Sequence, residues 1–248
     1  MKIIKWKNLN WQTRFNWGAF HPDDLRNHCD KDAVVKLDDD TVILKTHYNP
    51  KKFWLDSKNK FIQLDYGIGM IVSQEKFSFG RFEAIIKVPE GKYLWPAFWL
   101  TGANSWPPEI DIFEGYTNKY GSYFNWLYFW EWFGGKFWRM NSNLHYGPNP
   151  KQHKQLKAKS HFLGFKSPHK KYINYAVEFR PDSIKIFYDD KCVRKIDDPA
   201  IMMQLRKEKF VVVINNGIQD EHIETSQPSS EMHVLDFKYT PFNNAVIS

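Results

Sequence analysis

An all-β fold, a two-sheet sandwich or jelly roll, follows from period-two alternation, turn chemistry and chain length. Phe82, Ala84, Ile86 and Val88 alternate with Glu83 and Lys87, the pattern of a strand with one face buried. Val42 and Leu44 continue the pattern, as do Ile184 and Ile186 before the turn residues Asp189-Asp190. Val211 to Ile214 and Val234 to Phe237 add β-branched and aromatic runs, and no stretch sustains a capped 3.6-residue period. The chain has 248 residues, 42% of them hydrophobic. That length suits many short strands in two layers better than a small barrel, and residues 1–248 read as one domain.

Composition narrows the function classes. Charged residues make up 25% of the chain, which is globular rather than disordered, and no apolar run reaches the roughly 18 residues of a membrane span. No membrane partner is therefore expected. Met1 to Asn8 lacks the apolar core of a secretory signal. Cys29 and Cys192 form no zinc-binding spacing and no disulfide framework, so they read as two thiols, with a single bridge as the alternative. The net charge is +7, and Lys151, Lys154, Lys157, Lys159, Lys166, Lys170 and Lys171 account for all of it within one segment free of Arg, Asp and Glu. Such a patch suits an anionic polysaccharide, nucleic acid or phospholipid, or is a solvated loop. No nucleic-acid recognition motif accompanies it, so no nucleic-acid partner is expected.

The chemistry concentrates in Glu109-Ile110-Asp111-Ile112-Phe113-Glu114. In an unbroken strand Glu109 and Asp111 share a face and Glu114 takes the other. A β-bulge that absorbs Ile112 or Phe113 would bring all three acids to one face. Crowded carboxylates repel, which raises the pKa of at least one while another stays ionised. Glycoside hydrolysis needs that pairing: an acid for the leaving oxygen and a carboxylate as nucleophile or base. An acidic edge or a cation site is the competing reading.

These residues resemble glycoside hydrolase family 16, whose signature is E-x-D-x-x-E. Gly69 to Ser73, Gly80 to Ala84 and Leu94 to Leu100 are similar to the family's upstream segments and follow its order. The resemblance implies a concanavalin A-like jelly roll with an open concave cleft. It implies a single catalytic domain, an endo-acting, retaining hydrolase of β-linked polysaccharide. By the same resemblance Glu109 would be the nucleophile, Asp111 its hydrogen-bonding orienter and Glu114 the acid/base, with His145 on a neighbouring strand near them. Trp95 and Trp106 would face the scissile bond. The chain departs from the family's β-1,3-glucanases where Trp106-Pro107-Pro108 abuts Glu109 directly, so this motif does not assign the substrate. Many members hold a structural calcium through an acid that Asp236 resembles, but one acid does not make a site. No cofactor is required.

Residues 116–140 are densely aromatic, and Phe124, Trp126, Tyr128, Trp130 and Trp132 alternate at period two before Gly134-Gly135. Flat rings stack on pyranose faces, so Trp126, Trp130 and Trp138 are candidate cleft residues, with Arg81 as a polar candidate. A helical spacing also fits this stretch, as does core packing. Three functions remain open: hydrolysis of a β-1,3- or mixed β-1,3-1,4-glucan, hydrolysis of an anionic or sulfated galactan such as carrageenan, porphyran or agar, and non-catalytic polysaccharide binding. A monomer acting on an extracellular or phage-associated polysaccharide is the expectation.

Overall fold

The computed structural model describes residues 1–21, 24–91, 93–117, 138–164, 167–219 and 230–242. Its strands, in chain order, begin with β1 (Ile3–Trp6), β2 (Leu9–Gln12), β3 (His28–Cys29), β4 (Val34–Lys36), β5 (Val42–Leu55) and β6 (Lys60–Ile68). There follow β7 (Met70–Ser73), β8 (Gly80–Lys87), β9 (Leu94–Gly102), β10 (Glu109–Thr117), β11 (Trp138–Tyr146) and β12 (Lys154–Gly164). The last are β13 (Ile173–Phe179), β14 (Ile184–Tyr188), β15 (Lys191–Ile196), β16 (Phe210–Ile218) and β17 (Ser230–Pro241).

They form two sheets, one ordered β1-β2-β7-β16-β9-β10-β11-β12 and the other β15-β14-β13-β8-β17-β5-β6-β3, with β4 paired to β5 off that path. This is the jelly-roll sandwich. Alternate side chains of both sheets meet in one core, where Phe98, Leu100, Ile110, Met140 and Leu144 pack with Phe82, Ile86, Tyr175 and Val177. Burial of that apolar surface drives the layering. A few buried polar groups tie the layers together. Asn216 Nδ2 on β16 donates to the Leu44 carbonyl of β5, and Arg194 on β15 donates to the Ser142 carbonyl of β11 at 2.8 Å. β16 is buried on both faces, because Val212 and Ile214 enter the core while Val211 and Val213 lie under Phe15 of the N-terminal arm.

The strands expected around Val42, Phe82, Ile184, Val211 and Val234 are present as β5, β8, β14, β16 and β17. Asp189 and Asp190 turn the β14–β15 hairpin with φ of 46° and 63°, a left-handed conformation that Asp tolerates. One expectation needs correcting. A capped helix exists, α1 (Pro199–Leu205), where the Asp198 side chain accepts from Ala200 and Ile201 N–H and Pro199 occupies the first turn. At seven residues it is too short for its period to register. Cys29 and Cys192 are free thiols, Cys29 resting against the Met70 sulfur.

Candidate active site

The site grows from an irregularity in β10. Against β9, Asp111 faces Trp99 and Phe113 faces Phe98, so Ile112 is an extra residue. Against β11 the register shifts between Asp111 and Glu114. Ile112 and Phe113 are consecutive yet both enter the same core between the sheets, which the alternating faces of an unbroken strand do not allow. The bulge therefore brings Glu109, Asp111 and Glu114 into one cavity of ≈ 270 Å³ on the outward face of the eight-stranded sheet. Tyr188 on the opposite sheet donates to the Ile112 carbonyl at 2.8 Å, satisfying the acceptor that the bulge displaces. Gly115 follows with φ +59°, and a Cβ there would meet the Trp95 ring at 2.9 Å, so only glycine fits.

Each acid has a different set of partners. Glu109 accepts from Trp106 Nε1 at 3.1 Å. Glu114 accepts from Asn143 Nδ2 at 3.0 Å and also from Trp95. Asp111 is 3% exposed, and its Oδ2 has no hydrogen-bond partner among the described residues. His145 lies opposite Glu109 in the register, its Nε2 3.6 Å from Glu109 Oε1 and 3.7 Å from Asp111 Oδ2. Asn143 Oδ1 accepts from the Leu144 N–H, which orients its amide and leaves Nδ2 to serve both Glu114 and His145 Nε2. His145 Nε2 is thus an acceptor, and Nδ1 carries the proton donated to His153 Nε2 at 2.7 Å. Trp106 packs on His153 with ring centroids 4.6 Å apart.

Burial pushes Glu109 up to about 8, opposed by the Trp106 hydrogen bond and reinforced by the Glu114 charge. Asp111 is pushed well above the carboxylate range, first by burial, then by the charges of Glu109 and Glu114. Burial also raises Glu114, against the donors Asn143 and Trp95 and the Arg26 charge. The three share fewer than three negative charges at neutral pH, and Asp111, with no donor on Oδ2, is the natural holder of the shared proton. Burial and the adjacent His153 hold His145 down to about 4, so its imidazole is neutral in this network. Glu109, Asp111 and His145 offer ligand atoms within 4.8 Å of one another, but the His145 Nε2 lone pair is directed at Asn143 rather than at a metal position.

Trp95, Trp106 and Trp99 line the cavity. Arg81 does not: it sits on β8 in the other sheet, ion-paired with Glu83 at 2.9 Å and Glu178 at 3.3 Å. Its alternation with Phe82 and Ala84 reads the same for either sheet, which is why sequence alone misplaces it. Trp138 is also displaced from the cleft. It shares the phase of Met140 and Leu144 on β11, which points away from Asn143 and His145, and is buried edge-on against His169. Trp126 and Trp130 lie outside the described residues. The Asp236 carboxylate is ion-paired with the Lys7 ammonium at 3.2 Å. Sequence reasoning missed Asn143, His153 and the N-terminal wall of the cavity, formed by Phe15, His21, Asp24, Arg26 and Asn27. No motif marks these residues; only the folding of the arm over β16 and β7 brings them there.

A family model for glycosyl hydrolases family 16 matches residues 23–227. The chain belongs to that family. Among curated relatives, the endo-1,3-1,4-beta-glycanase ExsH of Rhizobium meliloti (strain 1021) is 43% identical over 53 residues, 20% of this chain and 11% of that protein. The chain thus spans about a tenth of that relative's length. Solved structures match over nearly the whole fold. LamA of Zobellia galactanivorans, in complex with laminaritriose and laminaritetraose, gives a TM-score of 0.69 at 18% identity, covering 93% of this chain and 91% of the other. The kappa-carrageenase of Pseudoalteromonas carrageenovora gives 0.64 at 16% identity, covering 86% and 84%. At these identities the likeness is one of fold.

Proposed function

We propose that the protein is an endo-acting, retaining glycoside hydrolase that cleaves a neutral β-1,3- or mixed β-1,3-1,4-glucan by double displacement. The observation that carries this is the bulge of β10, which sets three carboxylates with unequal hydrogen-bond donors in one cavity. Glu109, held by Trp106, attacks the anomeric carbon and forms the glycosyl-enzyme bond as the bond to the leaving oxygen breaks. Glu114 gives its proton to that oxygen, then takes one from the water that releases the sugar from Glu109. Asp111 holds the shared proton between them, and His145 with Asn143 orients Glu114.

Charge supports the neutral substrate over the sulfated one. Among the described lining residues Arg26 is the one Lys or Arg side chain, and it is already engaged in a two-pronged pair with Asp24 at 2.6 Å. None of the lysines that suggested an anionic partner is among the described residues lining the carboxylate cavity; Lys154, Lys157 and Lys159 stand exposed on β12, the edge strand of the same sheet.

The test is reducing-end release from laminarin, lichenan, agarose, porphyran and κ-carrageenan at low and high salt. Wild type is expected to act on a neutral glucan independently of salt, and Glu109→Gln to lose at least ~10³-fold in kcat. Glu114→Gln should lose most on poor leaving groups and least on an activated aryl glycoside. Undiminished turnover by Glu109→Gln would remove the nucleophile assignment, and salt-sensitive release confined to a sulfated galactan would replace the substrate.

A further inference from the structure

Beside the carboxylate cavity runs a second groove of ≈ 360 Å³, between the N-terminal arm and the segment that follows β9. We propose that it is a subsite for an uncharged pyranose ring of the substrate chain, with Trp17 as its stacking platform; this rests on the reading of the protein as a polysaccharide hydrolase. The two cavities share Phe15 and Trp106, so a chain seated over Trp106 at the carboxylates continues into the groove. Val72, Val211 and Val213 line its floor, and Asn104 and Ser105 its rim.

Three features suit the groove to a sugar. First, Trp17 is 53% exposed yet set in place, lying on Phe15 with ring centroids 4.5 Å apart and planes 11° from parallel. Phe15 is in turn anchored on Val72, Val211, Val213 and Trp99, and Gln12 Nε2 holds the intervening Asn16. A large apolar ring left in water but already ordered binds at little entropic cost. Second, the rim is also preset. Asn104 Nδ2 and Ser105 Oγ both donate to Glu208, while Lys76 donates to Asn104 Oδ1. Third, no charged side chain is among the described lining residues. A sulfate ester there would lose water without meeting a cation among the described lining residues, and at the rim the Lys76 ammonium and the Glu208 carboxylate flank Asn104 with opposing charges. Aromatic face, aliphatic floor and neutral rim match a pyranose that carries only hydroxyl groups.

The experiment compares wild type, Trp17→Ala and Trp17→Phe on a ladder of oligosaccharides from the glucan that wild type cleaves. Loss of one stacked ring should lower kcat/KM roughly three- to tenfold on chains long enough to reach the groove, mostly through KM. The advantage of long over short chains should collapse in Trp17→Ala and largely return in Trp17→Phe. Equal loss at every length would make Trp17 a structural residue, and no loss at any length would leave the groove outside the binding path; either overturns the proposal. Should wild type cleave nothing, retardation in gels carrying laminarin or κ-carrageenan decides separately. Weaker retention of Trp17→Ala by laminarin alone supports the subsite while the hydrolase reading fails. Equal retention, or a loss on κ-carrageenan, overturns the subsite.

Discussion

Asp111 shows what this site costs the fold. A carboxyl group 3% exposed, without a donor on Oδ2 and beside two other acids, stays folded by keeping its proton. Glu109 titrates together with it, pushed up to about 8 from the usual 4.5, so the group of acids retains a proton that rests on Asp111 when Glu109 ionises to attack. Between those two pH values the folded protein keeps a proton that the unfolded chain has released, so stability falls as pH rises through the window. Glu109→Gln removes that linkage. Its Tm should match wild type near pH 4.5 and exceed it by several degrees at pH 8, at about 2–4 °C per kcal/mol for a chain of this size. Scanning calorimetry across pH checks this, and a Tm difference that does not vary with pH would refute it. Glu109 and Glu114 were legible in the sequence as members of one motif. His153 was not, since its hydrogen bond to His145 and its contact with the Trp106 ring depend on how the turn after β11 folds back.

The bulge of β10 is the element on which the site depends. Two hydroxyls from the opposite sheet, close neighbours in the core, offer a matched comparison. Tyr188 donates to the Ile112 carbonyl, whereas the buried Tyr175 hydroxyl has no partner among the described residues. Tyr188→Phe should cost about 1–2 kcal/mol, because it strands a buried acceptor, and should lower kcat by loosening the bulge. Tyr175→Phe should leave stability unchanged or raise it. Urea denaturation and steady-state kinetics on both variants check this; equal effects would show that the bulge does not need Tyr188. The sequence made a bulge the condition for a common site, because Glu109, Asp111 and Glu114 at their spacing cannot share a face of a regular strand. Which residue it absorbs, and that Tyr188 supports it, emerged only from packing.

At the scale of the whole molecule, the lysine-rich segment takes a different meaning from the one its composition suggests. β12 ends the eight-stranded sheet, so one side of its backbone has no neighbouring strand among the described residues. Exposed lysines on such an edge oppose pairing with another chain. Replacing Lys154 and Lys159 with threonine should leave activity on a neutral glucan intact and promote self-association, measured by light scattering over a concentration series. Unchanged scattering, with salt-dependent loss of binding to a sulfated polysaccharide, would return the lysines to a substrate role.

The sequence by itself determined the all-β layering, most strand positions and the identity of the acidic strand. Those properties rest on local alternation and on residue types that carry their chemistry wherever they are placed. Tertiary structure alone decided that Arg81 and Trp138 leave the site and that Asn143, His153 and Trp17 stand at or beside it. A period-two pattern says that a residue points out or in; it does not say on which sheet, nor what the arm from Phe15 to Asn27 covers. Those facts arise from contacts between segments distant in the chain, formed when the two sheets bury their shared core.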